Sequence, residues 1–232
     1  MKNIRNHKTF TSLLSRVFTN SRINNHQCRF PYFKHFDDKK YIFIHIPRTG
    51  GTSITELLNP DMRGRLHVPW STFYQANPKK FHSYYKFSVV RHPYAKVYSS
   101  FKYLLSGGNQ KDDLELARAL CSYTDFSDFI VNGLSASAIR YHPLFQPQSY
   151  FIFAWSGKKM VDKICKLEKL EEDFSEVSQA LNLGHITIPH LNKSNCLEDT
   201  DHAKILVRDK EIYDIFMTFY GVDFDLLGYE RN

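Results

Sequence analysis

The sequence predicts an α/β fold, a three-layer sandwich with a mainly parallel central sheet. Two observations lead to this prediction: apolar strands are followed by short turns that enter helices, and this order recurs along a chain of 232 residues. Parallel strands need a long crossover between them, and that crossover is usually a helix. The length suits one domain with a substantial core.

The first strand-turn-helix unit begins at residue 41. Residues 41–46 form an apolar run interrupted by His45, which is typical of a strand buried on both faces. Pro47 ends the strand, residues 48–53 form a turn that contains two glycines, and residues 54–58 continue as a helix.

The second unit repeats this order from residue 86. Residues 86–90 are predicted to form a buried strand, and Arg91 and His92 follow it. Pro93 suits the first position of a helix, and apolar residues recur at helical spacing as far as Leu105. Two glycines then end this helix.

The rest of the chain continues the alternation. Helices are predicted at 112–122, in a short segment that ends at Gly133, at 168–183 and at 209–220. Strands are predicted at 150–154 and 163–167, a short extended piece at 186–189, and a proline-containing loop at 141–149. Two polar residues of this loop, His142 and Gln148, either contact a ligand or brace the loop, and the sequence leaves both alternatives open.

Positive charge is concentrated in the N-terminal segment. The formal net charge is +7, and residues 1–40 alone contain nine Lys or Arg against two Asp, which also gives +7. The remainder is therefore balanced, and we predict a basic, flexible arm at 1–38 and a folded domain at 39–232. Only the charge of the arm would suggest a nucleic-acid partner, and we expect no nucleic-acid partner for the domain.

Several classes of protein do not fit the sequence. No stretch approaches the ~20 apolar residues of a membrane span, and the N-terminus lacks the apolar core of a signal peptide. The four cysteines include no CxxC pair, and no cluster of His, Cys, Asp and Glu has metal-ligand spacing. We therefore expect a cytoplasmic, soluble protein with no bound metal and no stable membrane span.

The turn between the first strand and its helix has the composition of an anion site. Glycine lets the backbone approach an anion, and the N–H groups and dipole of a helix start favour negative charge. The candidate donors in this turn are Arg48, Thr49, Gly50, Gly51, Thr52 and Ser53. A nucleoside triphosphate loop has Lys directly before the Ser or Thr, whereas here Gly51 precedes Thr52, so ATP chemistry is disfavoured.

A second candidate phosphate site follows the second strand. Arg91 stands at the end of that strand, and Ser99 lies eight residues later, two turns into the helix. An arginine and a hydroxyl in this arrangement can hold another phosphate, although Arg91 alone would also fit a surface ion pair. Two such sites on neighbouring strands suit a nucleotide that is phosphorylated at two positions.

These motifs resemble those of a known enzyme family. Residues 43–53 resemble the 5′-phosphosulfate loop of the sulfotransferases that use 3′-phosphoadenosine 5′-phosphosulfate (PAPS), especially the carbohydrate and heparan-type branch. Residues 87–99 resemble their 3′-phosphate motif. The resemblance continues in the family's order through His142, Pro147, Gln148 and the segments 166–174, 188–194 and 220–229. The resemblance depends on the whole set of motifs occurring in this order, and it covers about residues 41–229.

The resemblance implies a P-loop-NTPase-like sulfotransferase fold and a set of roles. The turn 48–53 would hold the 5′-phosphosulfate, and Arg91 and Ser99 would hold the 3′-phosphate. Lys193 and Ser194 either close over the 3′-phosphate or lie in a solvated turn, and the sequence leaves both alternatives open. The implied reaction transfers a sulfuryl group from PAPS to a hydroxyl, which we expect on a carbohydrate, by in-line displacement without a metal. The sequence departs from its relatives at Arg48, where most have Lys, and at His92, where many have Asn or Asp.

The implied chemistry needs a catalytic base. Histidine suits proton removal near neutral pH. Relatives in the heparan branch use a histidine between the two nucleotide motifs, and this interval contains His67 and His82. We expect His67 to be the base and Arg48 to stabilise the leaving phosphate. His82, His142 or a carboxylate are the alternatives, and His45 inside the first strand fits a packing role.

Two other functions remain open from the sequence. One is a small-molecule kinase of related fold, which the missing lysine of the nucleoside triphosphate loop disfavours. The other is a catalytically inactive protein that binds a nucleotide or a glycan, which the departures at Arg48 and His92 leave open.

Overall fold

The computed structural model describes residues 30–59, 66–109, 112–184, 188 and 208–231. Its strands are β1 Tyr41–Ile44, β2 Tyr85–Val90 and β3 Lys163–Lys166. Its helices are α1 Lys34–Lys39, α2 Gly51–Leu58, α3 Trp70–Ala76, α4 Pro78–Ser83, α5 Pro93–Leu105, α6 Leu114–Leu120, α7 Phe126–Asp128, α8 Ser137–Arg140, α9 Gln148–Ile152, α10 Leu170–Ala180 and α11 Lys210–Leu227. A π-helical turn, Phe129–Gly133, continues α7, and a 3₁₀ turn, Leu167–Lys169, precedes α10.

The three described strands form a parallel sheet in the order β1-β2-β3. Phe87 of β2 lies opposite Phe43 of β1 on one side and Lys163 of β3 on the other. The predicted α/β class and parallel sheet are confirmed, whereas the three-layer arrangement stays a prediction. Because the strands are parallel, their carboxyl ends meet at one edge of the sheet, where the predicted phosphate sites begin.

The sheet lies in the first of two hydrophobic clusters within the described residues. Apolar side chains of the strands are buried on both faces, and the Phe43 and Phe87 rings stack with their centroids 4.9 Å apart. Tyr32 and Phe36 also belong to this cluster, so the described part of the predicted arm packs into the domain. Residues 1–29 lie outside the description.

The second cluster is rich in aromatic side chains and joins α5 to α11. Its members include Tyr94 and Phe101 of α5, Phe129, and Phe216 and Phe224 of α11. The Tyr94 and Phe216 rings are 4.7 Å apart. This packing fixes α5, which carries Ser99, against the rest of the domain.

The segment predicted as a strand at 150–154 is helical instead. It lies in and after α9, and Phe153 forms an isolated antiparallel bridge with Lys159. The carboxylate of Asp223 accepts hydrogen bonds from the first two N–H groups of α9, those of Gln148 and Ser149, at 2.7 and 2.8 Å. A side chain distant in sequence therefore caps a helix that the local apolar pattern does not indicate.

The last helix runs further than predicted. It passes Gly221 and ends at Leu227, where Gly228 adopts a left-handed conformation with φ of 63°. Burial of Phe224 and Leu227 outweighs the roughly 1 kcal/mol by which glycine disfavours a helix interior. The predicted extended piece at 186–189 falls almost wholly outside the described residues.

None of the helices described is both long and apolar enough to cross a membrane.

Candidate functional site

The loop after β1 requires glycine where it enters α2. Gly50 has φ of 80°, a left-handed conformation that other residues rarely adopt, and it is the N-cap of α2. A Cβ atom at this position would also lie 2.6 Å from Cδ1 of Leu167, just beyond the end of β3. The loop is therefore packed closely against the residue that follows β3.

Gly51 gives the loop its contact with His45. A Cβ atom on Gly51 would collide with the His45 imidazole, which is itself buried. The ring of His67 meets the His45 ring edge-on, with 4.6 Å between centroids. His45 thus occupies the packing role expected from the sequence and links the predicted base to the start of α2.

The hydroxyl of Thr49 is directed inward. Thr49 is fully buried, and its Oγ1 donates to the carbonyl of Ile46 at 2.9 Å. A hydroxyl has a single proton to donate, so only the backbone N–H of Thr49 can serve as a donor to a ligand. Thr52 and Ser53 lie in the first turn of α2, where helix N–H groups lack intrahelical acceptors.

Arg48 joins the two predicted phosphate motifs. Its Nε and Nη2 atoms donate to Oγ of Ser99 at 3.2 and 3.1 Å, although the two residues are 51 positions apart. The guanidinium also lies 4.6 Å from the ring centre of Tyr103, one turn further along α5. Arg48 has φ of 66°, an uncommon backbone conformation for a residue with a side chain.

Arg91 lies beside the same loop. It is the first residue after β2, is 1% exposed, and directs Nη1 toward the carbonyl of Arg48 at 3.5 Å, a long contact. The structure thus brings Arg48 of the first predicted motif together with Arg91 and Ser99 of the second. The two arginines can hold a multiply charged anion, since guanidinium groups bind phosphate oxygens in pairs.

Gln148 and Asp223 brace the backbone behind Arg91. Oε1 of Gln148 accepts from the N–H of Arg91 at 2.8 Å, and Nε2 donates to its carbonyl at 2.7 Å. Asp223 holds the N–H groups of Gln148 and Ser149. Gln148 is therefore a brace, one of the two roles that the sequence left open.

Glu168 connects the end of β3 to the start of α5. It accepts from the N–H of His92 at 2.6 Å and from the hydroxyl of Tyr229 at 2.9 Å. Burial, reinforced by the charge of Glu168, raises the pKa of Tyr229, so this hydroxyl stays protonated. From the sequence, Glu168 is predicted only as the start of a helix, because its partners are far away in the chain.

The other predicted residues lie apart from this group or outside the description. Lys193 is outside the described residues. His82 is exposed on α4, and its ring meets the ring of Tyr74 edge-on. Nδ1 of His142 accepts from the N–H of Leu144 at 3.3 Å. Among the described residues no group of three or more His, Cys, Asp or Glu could hold a metal ion.

Fold and site together define an α/β protein in which two neighbouring strands each pass through an arginine-bearing loop into a helix. The sequence model of one family, described as the sulfotransferase family, matches residues 31–230. This match covers well over half of the chain, so the chain belongs to the sulfotransferase family. No curated protein and no solved structure matches it.

Proposed function

We propose that this protein transfers a sulfuryl group from PAPS to a hydroxyl group. The observation that carries the proposal is the meeting of Arg48, Arg91 and Ser99 at the carboxyl ends of β1 and β2. A donor with phosphates at its 5′ and 3′ positions needs cationic groups at two adjacent places, and these residues provide them. Family membership supports the same donor.

The loop residues divide between the two ends of the nucleotide. Arg48 and the N–H groups of Thr49, Gly50, Gly51, Thr52 and Ser53 would bind the 5′-phosphosulfate. Arg91 and the Ser99 hydroxyl would bind the 3′-phosphate, and Lys193 is proposed to close over it. In the structure Oγ of Ser99 accepts a hydrogen bond from Arg48. A bound nucleotide would either break this hydrogen bond or bind beside it.

Transfer would proceed by in-line displacement. The acceptor oxygen forms a bond to sulfur while the bond from sulfur to the bridging phosphate oxygen breaks, and 3′-phosphoadenosine 5′-phosphate (PAP) leaves. The negative charge that develops on the leaving phosphate lies where Arg48 and the first N–H groups of α2 can stabilise it. Such preorganised donors often contribute the largest part of catalysis.

His67 is the proposed base that takes the proton from the acceptor hydroxyl. Its position beside His45, which in turn contacts Gly51, supports this role because it places an imidazole close to the phosphosulfate loop. A carbohydrate acceptor rests on the resemblance to the carbohydrate and heparan-type branch. The acceptor itself would bind near residues 66–69, which precede α3.

Nucleotide binding is the first test of the proposal. We expect PAP to bind the wild-type protein. Arg91→Ala and Ser99→Ala should each weaken PAP binding, and the loss for Arg91→Ala should be roughly tenfold to a hundredfold. Isothermal titration calorimetry measures this, with Arg140→Ala as a control because Arg140 contacts Tyr141 and Phe219 on another part of the surface. No PAP binding, or binding insensitive to both substitutions, would contradict the proposed donor.

The role of His67 needs a rate measurement. We expect His67→Ala to lower kcat for sulfuryl transfer by about 10²- to 10⁴-fold and to leave PAP affinity unchanged, because a base acts on the acceptor. Transfer of labelled sulfate to a panel of glycans measures kcat, and His82→Ala is the matched control. A normal rate in His67→Ala would exclude it as the base, and PAP binding without transfer to any acceptor would favour an inactive binding protein.

A further inference from the structure

The side chain of Gln148 replaces a strand neighbour at the end of β2. Its amide pairs with both backbone groups of Arg91, accepting from the N–H at 2.8 Å and donating from Nε2 to the carbonyl at 2.7 Å. A neighbouring strand would satisfy the same two groups in a sheet. Gln148 is completely buried, so no solvent competes for these bonds. The backbone conformation of Arg91 is therefore set by a residue 57 positions away.

Gln148 and the loop before it are held by two buried ionisable side chains, Asp223 and Lys96. Asp223 of α11, which is 1% exposed, accepts from the N–H groups of Gln148 and Ser149. Immediately before them, Nζ of Lys96 donates to the carbonyls of Leu144 and Gln146 at 2.7 and 2.8 Å. Lys96 lies on α5, one turn before Ser99. The loop before α9 and the start of that helix are thus held by α5, which also carries Ser99, and by α11.

We propose that Gln148 is a positioning residue that directs the side chain of Arg91 toward the 3′-phosphate. Arg91 lies just past the regular strand, where its own ladder ends, and a side chain leaves the backbone in a direction that the backbone conformation determines. Fixing the N–H and the carbonyl together leaves the guanidinium near the Arg48 carbonyl. This inference rests on the proposed function, because it assigns the 3′-phosphate to Arg91.

The consequence is selectivity for nucleotides that carry a 3′-phosphate. Loss of the amide would let Arg91 turn away from that phosphate, while the loop after β1 and the start of α2 would still hold a 5′-phosphate. Binding of PAP should therefore weaken, and binding of 5′-AMP, which lacks the 3′-phosphate, should not. A purely structural role would weaken both nucleotides together.

The experiment compares PAP and 5′-AMP affinities by calorimetry in the full chain. We expect Gln148→Ala to weaken PAP binding about tenfold or more and to change 5′-AMP binding less than about twofold. Arg91→Ala should show the same pattern, and adding Gln148→Ala to it should cause no further loss. Gln146→Ala is the control, since the side chain of Gln146 takes no part in these bonds and only its carbonyl does.

Each outcome bears on the inference. Equal losses for PAP and 5′-AMP, unchanged PAP binding, or losses that add to those of Arg91→Ala would overturn it. If Gln148→Ala does not fold, the same comparison of PAP and 5′-AMP affinities is made with Gln148→Glu. This variant keeps the acceptor for the Arg91 N–H and loses the donor to the Arg91 carbonyl. Absence of PAP binding in the wild-type protein is a separate result that removes the proposed function, and the positioning role with it.

Discussion

The contact between Gly51 and His45 shows how single residues shape the loop. The loop after β1 passes so close to the imidazole that no Cβ atom fits on Gly51. The same imidazole also meets the ring of His67 edge-on. A side chain at position 51 would therefore disturb both the proposed phosphosulfate loop and the proposed base.

We expect Gly51→Ala to lower the free energy of unfolding by about 1–3 kcal/mol, because the added methyl overpacks the site. Urea denaturation measures the loss. In a His45→Ala background the collision is absent, so the same substitution should be less destabilising there. Gly221→Ala is the control, since a Cβ there meets only Cε of Met217 at 3.5 Å, an ordinary contact. Equal losses in both backgrounds would show that the imidazole is not the obstacle.

At the scale of elements, α11 depends on its ends and on one buried side. Asp209 is its N-cap, and its carboxylate accepts from the N–H groups of Glu211 and Ile212 at 2.9 and 3.4 Å. Gly228 ends the helix in a left-handed conformation. Between these ends α11 presents Asp223 to α9, so the stability of this helix supports the brace on Arg91.

Removal of the cap should destabilise the protein measurably. We expect Asp209→Ala to reduce the free energy of unfolding by about 1 kcal/mol, because two N–H groups lose their acceptor. Thermal denaturation would report the change as a lower Tm. Asp214→Ala on the same helix removes a surface ion pair with Lys210 and should have a smaller effect. A larger loss for Asp214→Ala would refute the assignment of the cap.

At the scale of the whole molecule, the site joins segments that are far apart in the chain. The loop after β1, the start of α5, the start of α9, the end of β3 and α11 all meet at one edge of the sheet. The loop before α9 has a local hydrogen bond of its own, in which Nδ1 of His142 accepts from the N–H of Leu144. That bond needs Nδ1 unprotonated.

Acid should therefore weaken the folded state through His142. Burial lowers the pKa of His142 from its ordinary 6.5, and Lys96 lowers it further, while Asp113 opposes the shift. The unfolded chain then binds the proton first, so this contribution to stability is present above about pH 6.5 and is lost as the pH falls toward the folded pKa. Urea denaturation at about pH 7.5 and pH 5.5 measures the difference.

Substitution of the histidine should reduce that difference. His142→Gln removes the titrating group, and His82→Gln serves as the control because His82 is exposed on α4. We expect a smaller loss of stability on acidification in His142→Gln than in the wild-type protein or in His82→Gln. The same loss in all three proteins would show that other groups cause it.

Much of the fold could be predicted because its signals are local. The apolar runs identified all three described strands, and Pro93 marked the first residue of α5. The strand at 150–154 was wrong because its apolar residues also fit a helix, and the deciding cap comes from Asp223. The end of α11 was placed too early because Gly221 resembles a stop until the burial of Phe224 and Leu227 is known.

For the proposed site, the sequence by itself indicated the candidate hydrogen-bond donors to phosphate: a glycine turn at 48–53, and an arginine followed by a serine at 91 and 99. These are local patterns of strand, turn and helix, and they led to the sulfotransferase family that the family match shows. Only the tertiary structure decided that Arg48 contacts Ser99 and that Gln148 and Asp223 hold the backbone of Arg91. The physical reason is that hydrogen bonds across 51 to 75 residues depend on how the helices pack on the sheet, which no local pattern records.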